Sequence, residues 1–196
     1  MTDFKPECPS CFTVDFARRL IAYLGGDPAP IKNHWGWREL ARHYPELRKK
    51  LERYFEQVRT GDPAMFAFYM GLYFHSDRRW VEKVIENAKT GNPALYARRL
   101  VYPGSITSRE WAKKVIEQAQ SGDPAWAAYH YVHYSHFRSL KEFIAERKWA
   151  EKVIAKATIG NPKIAASYMV RYCGSHPAWA RRVAARQAER GKEESR

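Results

Sequence analysis

Apolar residues recur along this chain at helical spacing, in segments separated by short polar breaks, and the segments themselves repeat. Trp80, Val84, Ile85 and Ala88 fall on one face at a period of about 3.6 residues, leaving Glu82, Lys83, Glu86 and Lys89 on the other. The pattern returns with Trp111, Val115 and Ile116, then with Trp149, Val153 and Ile154, and decays at Trp179 and Val183. The tryptophans are spaced by 31, 38 and 30 residues, the length of a paired-helix repeat.

Each such segment runs into a glycine, an Asp or Asn, and a proline: Gly61-Asp62-Pro63, Gly91-Asn92-Pro93, Gly122-Asp123-Pro124 and Gly160-Asn161-Pro162, with Gly26-Asp27-Pro28 as a weaker upstream copy. Glycine suits the left-handed close of a helix, Asp or Asn accepts from the free N–H groups of the next helix, and proline fits its first turn. An elbow joining two helices within three residues is expected. Counted from the elbow proline, position four is Ala67, Ala97, Ala128 and Ala166 and position seven is Met70, Leu100, Tyr131 and Met169, small opposite large as in closely packed helix pairs. Ser76-Asp77, Thr107-Ser108 and Ser175 are candidate N-caps, Thr107 with Glu110 has capping-box spacing, and Ser139-Leu140-Lys141-Glu142 predicts a short inserted helix.

Upstream, helices are expected from about Thr13 to Leu24, Trp37 to His43 and Glu46 to Arg59. The fold class expected is all-α, a right-handed α-solenoid of about four helical hairpins. Its atypical N-terminal helical cap spans 1–53, its repeats form one continuous domain over 54–190, and 191–196 are a polar tail. Over 54–190 the pattern resembles HEAT-like helical-hairpin repeats and, in its elbow triplet, the tandem Gly-Asp-Pro repeats of prokaryotic and phage proteins. That resemblance implies a fold; HEAT-like folds serve scaffolding, nucleic-acid binding and, in the DNA glycosylases, catalysis.

The balance of 45% hydrophobic and 28% charged residues is that of a folded chain, and a net charge of +13 points to a polyanionic or acidic partner. The excess is spread along the chain, with +5 of it in 161–196. Three cysteines make no disulfide framework, and with neither a signal-like N-terminus nor a membrane-length apolar run the expected compartment is the cytoplasm. Cys8 and Cys11 have zinc half-site spacing, as do Cys173 and His176; one zinc site would require the two ends of the chain to meet, and buried free cysteines are the other reading. No metal or cofactor is assigned.

Two cationic columns run through the repeats: Lys83, Lys114, Lys152 and Arg182 three residues after each tryptophan, and Arg78, Arg109 and Arg147 two residues before it. Stacked repeats would turn either into a ladder suited to a phosphate backbone, although at about 100° per residue the two lie about 140° apart and only one can face a given groove. The plainer reading is solvated helix flanks whose stems cover apolar surface. Trp35 and Trp37, outside any periodic apolar face, are candidates to cap the repeats or to contact a partner, whereas the phase of the repeated tryptophans with Val and Ile assigns them to the core. His130, His133 and His136 drift around a helix and do not converge as ligands; with their neighbouring tyrosines they could stack on bases if that flank is basic. No phosphate-cradling loop, Ser-His-Asp set or metalloprotease helix is present. The expected function is a non-catalytic module that binds DNA or RNA through its backbone. The alternatives are a scaffold for an acidic or apolar protein segment and an enzyme acting on nucleic acid.

Overall fold

The computed structural model describes residues 13–33, 36–101 and 108–193, whose regular structure is helical with no strand among them. In chain order the helices are α1 (Val14–Tyr23), α2 (Trp37–His43), α3 (Arg48–Gln57), α4 (Pro63–Tyr73), α5 (Arg78–Asn87), α6 (Pro93–Arg99), α7 (Arg109–Gln118), α8 (Pro124–Tyr134), α9 (Leu140–Lys156), α10 (Pro162–Cys173) and α11 (Pro177–Glu193). A 3-10 turn, Pro45–Leu47, leads into α3. The chain forms two compact units, 1–96 and 97–196.

The elbows are longer than the glycine triplet implied. Five residues separate the helices at 58–62, 88–92, 119–123 and 157–161. Glycine does not close the preceding helix: the chain has already left it at Val58, Ala88, Ala119 and Ala157, with ψ between 117° and 132°. Gly61, Gly91, Gly122 and Gly160 then reverse the chain at φ of 70°, 75°, 78° and 76°, where a Cβ is strained. Asp62, Asn92 and Asp123 cap the next helix by accepting from the N–H of Met65, Leu95 and Trp126 at 3.0, 3.1 and 2.8 Å. Asn161 makes no side-chain cap; its backbone N–H donates instead to Asp123 Oδ2 at 2.9 Å.

That bond exposes a second demand on the glycine. A Cβ on Gly160 would stand 2.4 Å from Asp123 Cγ, and one on Gly91 would stand 2.4 Å from Asp62 Cγ. Within each unit, therefore, one elbow's aspartate nests against the next elbow's glycine, and the triplet fixes the spacing of neighbouring hairpins as well as the turn within each.

In the first unit α4 packs on α3 and α5; in the second α8 packs on α7, α9 and α10, and α10 on α9 and α11. The core follows a register counted back from the elbow glycine. Ten residues before it stand Leu51, Val81, Ala112 and Ala150, six before it Phe55, Ile85, Ile116 and Ile154, and none exceeds 1% exposure. Each buried isoleucine contributes about 1.5–3 kcal/mol. On the second helices Ala67, Ala97, Ala128 and Ala166 are wholly buried, and Met70, Leu100, Tyr131 and Met169 lie against the core.

The N-terminal segment is built onto α4. Phe66 receives Phe16, Trp37 and Phe55 at ring distances of 5.4, 5.0 and 4.6 Å. Its connections are tied by Arg18, which donates to the Ile31 carbonyl at 2.7 Å, and by the Tyr44 hydroxyl, which donates to the Asp27 carbonyl at 2.6 Å.

Three local expectations change. The insertion at Ser139 is not a separate helix: with no Gly or Pro between Leu140 and Lys156, the segment joins the tryptophan helix in one run of 17 residues, capped by Ser139. The N-cap of α7 is Ser108, which accepts from Trp111 N–H at 3.2 Å; Thr107 lies outside the described residues. Before α11, Ser175 is buried and His176 Nδ1 takes the Ala178 N–H at 3.1 Å.

Candidate nucleic-acid interface

The arginine column serves the fold. Arg109 donates to the His136 carbonyl at 2.8 Å and Arg147 to the Gly174 carbonyl at 2.9 Å, each reaching 27 residues ahead to the end of its own hairpin's second helix. Arg48 reaches the His75 carbonyl in the same way at 3.4 Å. A guanidinium at a helix C-terminus satisfies a free carbonyl and offsets the negative end of the dipole. Arg48, Arg78, Arg109 and Arg147 all stand 13 residues before an elbow glycine, so Arg48 belongs to the column although Lys50 occupies its tryptophan position. Arg109 also pairs with Glu142, and Arg147 approaches Glu151 at 3.8 Å. Arg78 pairs with Glu82 at 2.8 Å; its counterpart carbonyl, at position 105, lies outside the described residues.

The lysine column is exposed. Lys83 lies 3.7 Å from Glu56 and borders a groove of about 580 Å³ with Phe55, Arg59 and Lys89. Lys152 borders a corresponding groove of about 380 Å³ with Trp149, Lys156 and Glu117. Lys114 and Arg182 are exposed on α7 and α11. These first helices carry both signs: α5, α7 and α9 hold Glu82, Glu86, Glu110, Glu117, Glu142, Glu146 and Glu151 among their cations. A phosphate backbone laid there would meet carboxylates as well as ammonium groups.

The tryptophans of the repeats are half-buried rather than core. Trp149 packs edge-on against Tyr131 at 5.1 Å, lies under Lys113 Nζ at 5.0 Å and donates to Glu117, so it seals a joint between hairpins. Trp37, at the first position of α2, is 5% exposed and stacks on Tyr69 at 5.9 Å, which makes it core and leaves it no surface for a partner. Trp35 lies outside the described residues.

A different surface stands out on the second helices. Helices α4, α6, α8 and α10 contain no Asp or Glu at all, whereas α6 and α10 contribute Arg98, Arg99, Lys163 and Arg171. Their positions two, six and ten after the elbow proline, one turn apart and hence one stripe, are Met65, Tyr69 and Tyr73 on α4, Trp126, His130 and Tyr134 on α8, and Ile164, Tyr168 and Tyr172 on α10. In the second unit the stripes of α8 and α10 merge into one ring surface. Trp126 meets Tyr168 at 5.2 Å, Tyr168 meets Tyr172 at 5.5 Å, Tyr172 meets His133 at 5.4 Å and His133 meets Tyr134 at 4.5 Å. Tyr134, Tyr168 and Tyr172 keep 45%, 38% and 47% of their surface open, far more than a core ring. The Arg98 guanidinium lies 5.0 Å over the Tyr134 ring and that of Arg171 5.2 Å over Tyr172.

The electrostatics of this surface follow from its composition. Burial, followed by the charges of Arg98, His133 and Arg99, holds His130 down to about 4, so it is neutral at physiological pH. Burial pushes Tyr129 up to about 12. The positive character thus comes from Arg98, Arg99, Lys163 and Arg171, not from His130. The stripe was readable in three of the four copies: position six after the proline is Tyr69, His130 or Tyr168 and position ten is Tyr73, Tyr134 or Tyr172, whereas the Pro93 copy has Arg99 and Pro103. Attention to positions four and seven, which locate the core, passes over it.

Among the described residues no group of three or more His, Cys, Asp or Glu could hold a metal ion. Cys173 is buried and free, and burial pushes its thiol up to about 11; Cys8 and Cys11 lie outside the described residues. No helix among the described residues is long and apolar enough to cross a membrane. No family model matches the chain, and neither does any curated protein or any solved structure.

Proposed function

We propose that this protein is a non-catalytic helical-hairpin repeat module of HEAT-like type that binds nucleic acid through its phosphate backbone. The observation that carries the reading is the segregation of charge: the second helices of the hairpins, free of carboxylates, bring Arg98, Arg99, Lys163 and Arg171 to an exposed ring surface. A polyanion approaching that face meets cations with no like charge among them, which is the electrostatic footprint of backbone binding. The exposed Lys114, Lys152 and Arg182 of the first helices add attraction at longer range. A chain with an odd cysteine count and a buried, free Cys173 fits a reducing compartment, the cytoplasm.

The test is a salt titration of binding to labelled nucleic acid. Four phosphates neutralised on a single strand give a slope of log affinity against log salt of about −3, a loss of about 50-fold between about 50 and 200 mM. Binding that is absent, or indifferent to salt, removes the reading. The grooves beside Lys83 and Lys152 favour a second reading, a scaffold for an acidic or apolar protein segment. A co-purifying protein lost on Lys83→Glu and Lys152→Glu, together with indifference to nucleic acid, would support it.

A further inference from the structure

The arrangement of rings on α8 and α10 narrows the ligand of the proposed module. We infer that this face binds single-stranded nucleic acid, with unpaired bases stacked on the exposed rings of Tyr134, Tyr168 and Tyr172 and the phosphates held by Arg98, Lys163 and Arg171. The inference rests on the backbone-binding reading and adds a requirement for accessible bases.

Three observations carry it. First, the three tyrosines are among the exposed large hydrophobic side chains of the described residues, although each has a ring neighbour within 5.5 Å that leaves part of its surface open. Exposed aromatic surface of this extent is costly to keep in water, and a base is a partner that covers a ring while its sugar and phosphate remain wet. Second, the ring-to-ring steps of 5.2, 5.5, 5.4 and 4.5 Å from Trp126 through Tyr168, Tyr172 and His133 to Tyr134 form a continuous track along which successive bases can lie. Third, cations border that track: Arg98 lies over Tyr134 at one end and Arg171 over Tyr172 in its middle, and Lys163, Ser167 and Arg171 form the adjacent exposed stripe of α10 at helical spacing. An apolar peptide would gain nothing from the exposed Lys163 and Arg171. A duplex would meet them with its bases turned inward, so that the rings would gain nothing.

The experiment compares three labelled probes of about 12 nucleotides on the full chain by fluorescence anisotropy: a single-stranded oligothymidine, its duplex, and an abasic single strand with the same number of phosphates. The single strand should bind at least about 10-fold more tightly than the abasic strand, since each stacked base contributes roughly 5- to 150-fold. Tyr168→Ala with Tyr172→Ala should lose about 10-fold or more on the oligothymidine and leave the abasic strand unaffected, while Tyr168→Phe with Tyr172→Phe should retain binding. Circular dichroism reports whether the alanine variant is folded; if it is not, the abasic comparison on the unaltered chain decides. Equal binding of all three probes, salt-dependent, would overturn the stacking inference and leave backbone binding standing. Failure of all three to bind would remove both.

Discussion

The nesting of one elbow into the next makes Gly160→Ala a sharper probe of the repeat than a change in its core. Two costs act on the new methyl group. A left-handed φ of 76° costs an alanine about 1–2 kcal/mol. The methyl would also stand 2.4 Å from Asp123 Cγ and 2.8 Å from its Cα, so the Asp123 side chain and the backbone that carries it must shift. Moving it forfeits the cap on Trp126 N–H, about 1 kcal/mol, and the bond from Asn161 N–H, about 1–2 kcal/mol for an ionised acceptor. The expected destabilisation is about 3–5 kcal/mol, or a Tm lowered by roughly 10 °C in a chain of this size. Gly174→Ala is the control: its φ is 69°, yet its Cβ would meet only Arg147 Nη1, at an ordinary 3.5 Å. Urea unfolding followed by circular dichroism should place it at about 1–2 kcal/mol. Asp123→Ala combined with Gly160→Ala should cost about 2–3 kcal/mol less than the sum of the two, because the cap and the Asn161 bond can each be lost only once. If Gly160→Ala costs no more than Gly174→Ala, or if the double variant is additive, elbow nesting does not set the spacing of the hairpins.

Three further outcomes follow from the same geometry. Arg147→Ala strips the Gly174 carbonyl of its guanidinium and should lower stability by about 1–2 kcal/mol in urea; a loss below about 0.3 kcal/mol would return Arg147 to the pool of free surface cations. Ile154→Ala, at a fully buried position between α9 and its neighbours, should cost about 2–5 kcal/mol, against under about 0.5 kcal/mol for the exposed Lys156→Ala. His130 is held down to about 4 in the folded chain, so as pH falls the unfolded chain, with its pKa near 6.5, takes up the proton first. Its contribution is therefore complete above about pH 6.5 and is lost progressively down to about pH 4. At pH 5 the loss is about 1 kcal/mol after allowance for solvent around this half-buried ring, and His130→Gln should flatten the pH dependence of the urea midpoint by that amount.

The hairpins were legible because their signals are local. Glycine, an Asx cap and proline act within a few residues, and the 3.6-residue period of Val84 with Ile85, Val115 with Ile116 and Val153 with Ile154 needs no partner to be read. Contacts made 27 to 38 residues apart were not. The sequence cannot show that Asp123 has a second acceptor oxygen for Asn161, or that Arg109 and Arg147 reach the carbonyl end of their own hairpins, so both arginines look like free cations until the chain is folded. The tryptophans share the phase of the core yet are only half-buried, because an indole is long enough to extend from the core edge to the preceding hairpin, as Trp149 does to Glu117. The ring surface of α8 and α10 is a sum of two stripes, each unremarkable alone, that meet only when α10 packs on α8.

Whether nucleic acid lies on the carboxylate-free ring face of α8 and α10 is decided by photocrosslinking a labelled single strand to the full chain and mapping the adduct by peptide mass. The adduct is expected within α8 or α10, on Tyr134, Tyr168 or Tyr172, and should disappear when Ser167, exposed on the same face, is changed to Glu. Adducts confined to α5, α7 or α9, beside Lys83, Lys114 and Lys152, and indifferent to Ser167→Glu, would contradict it.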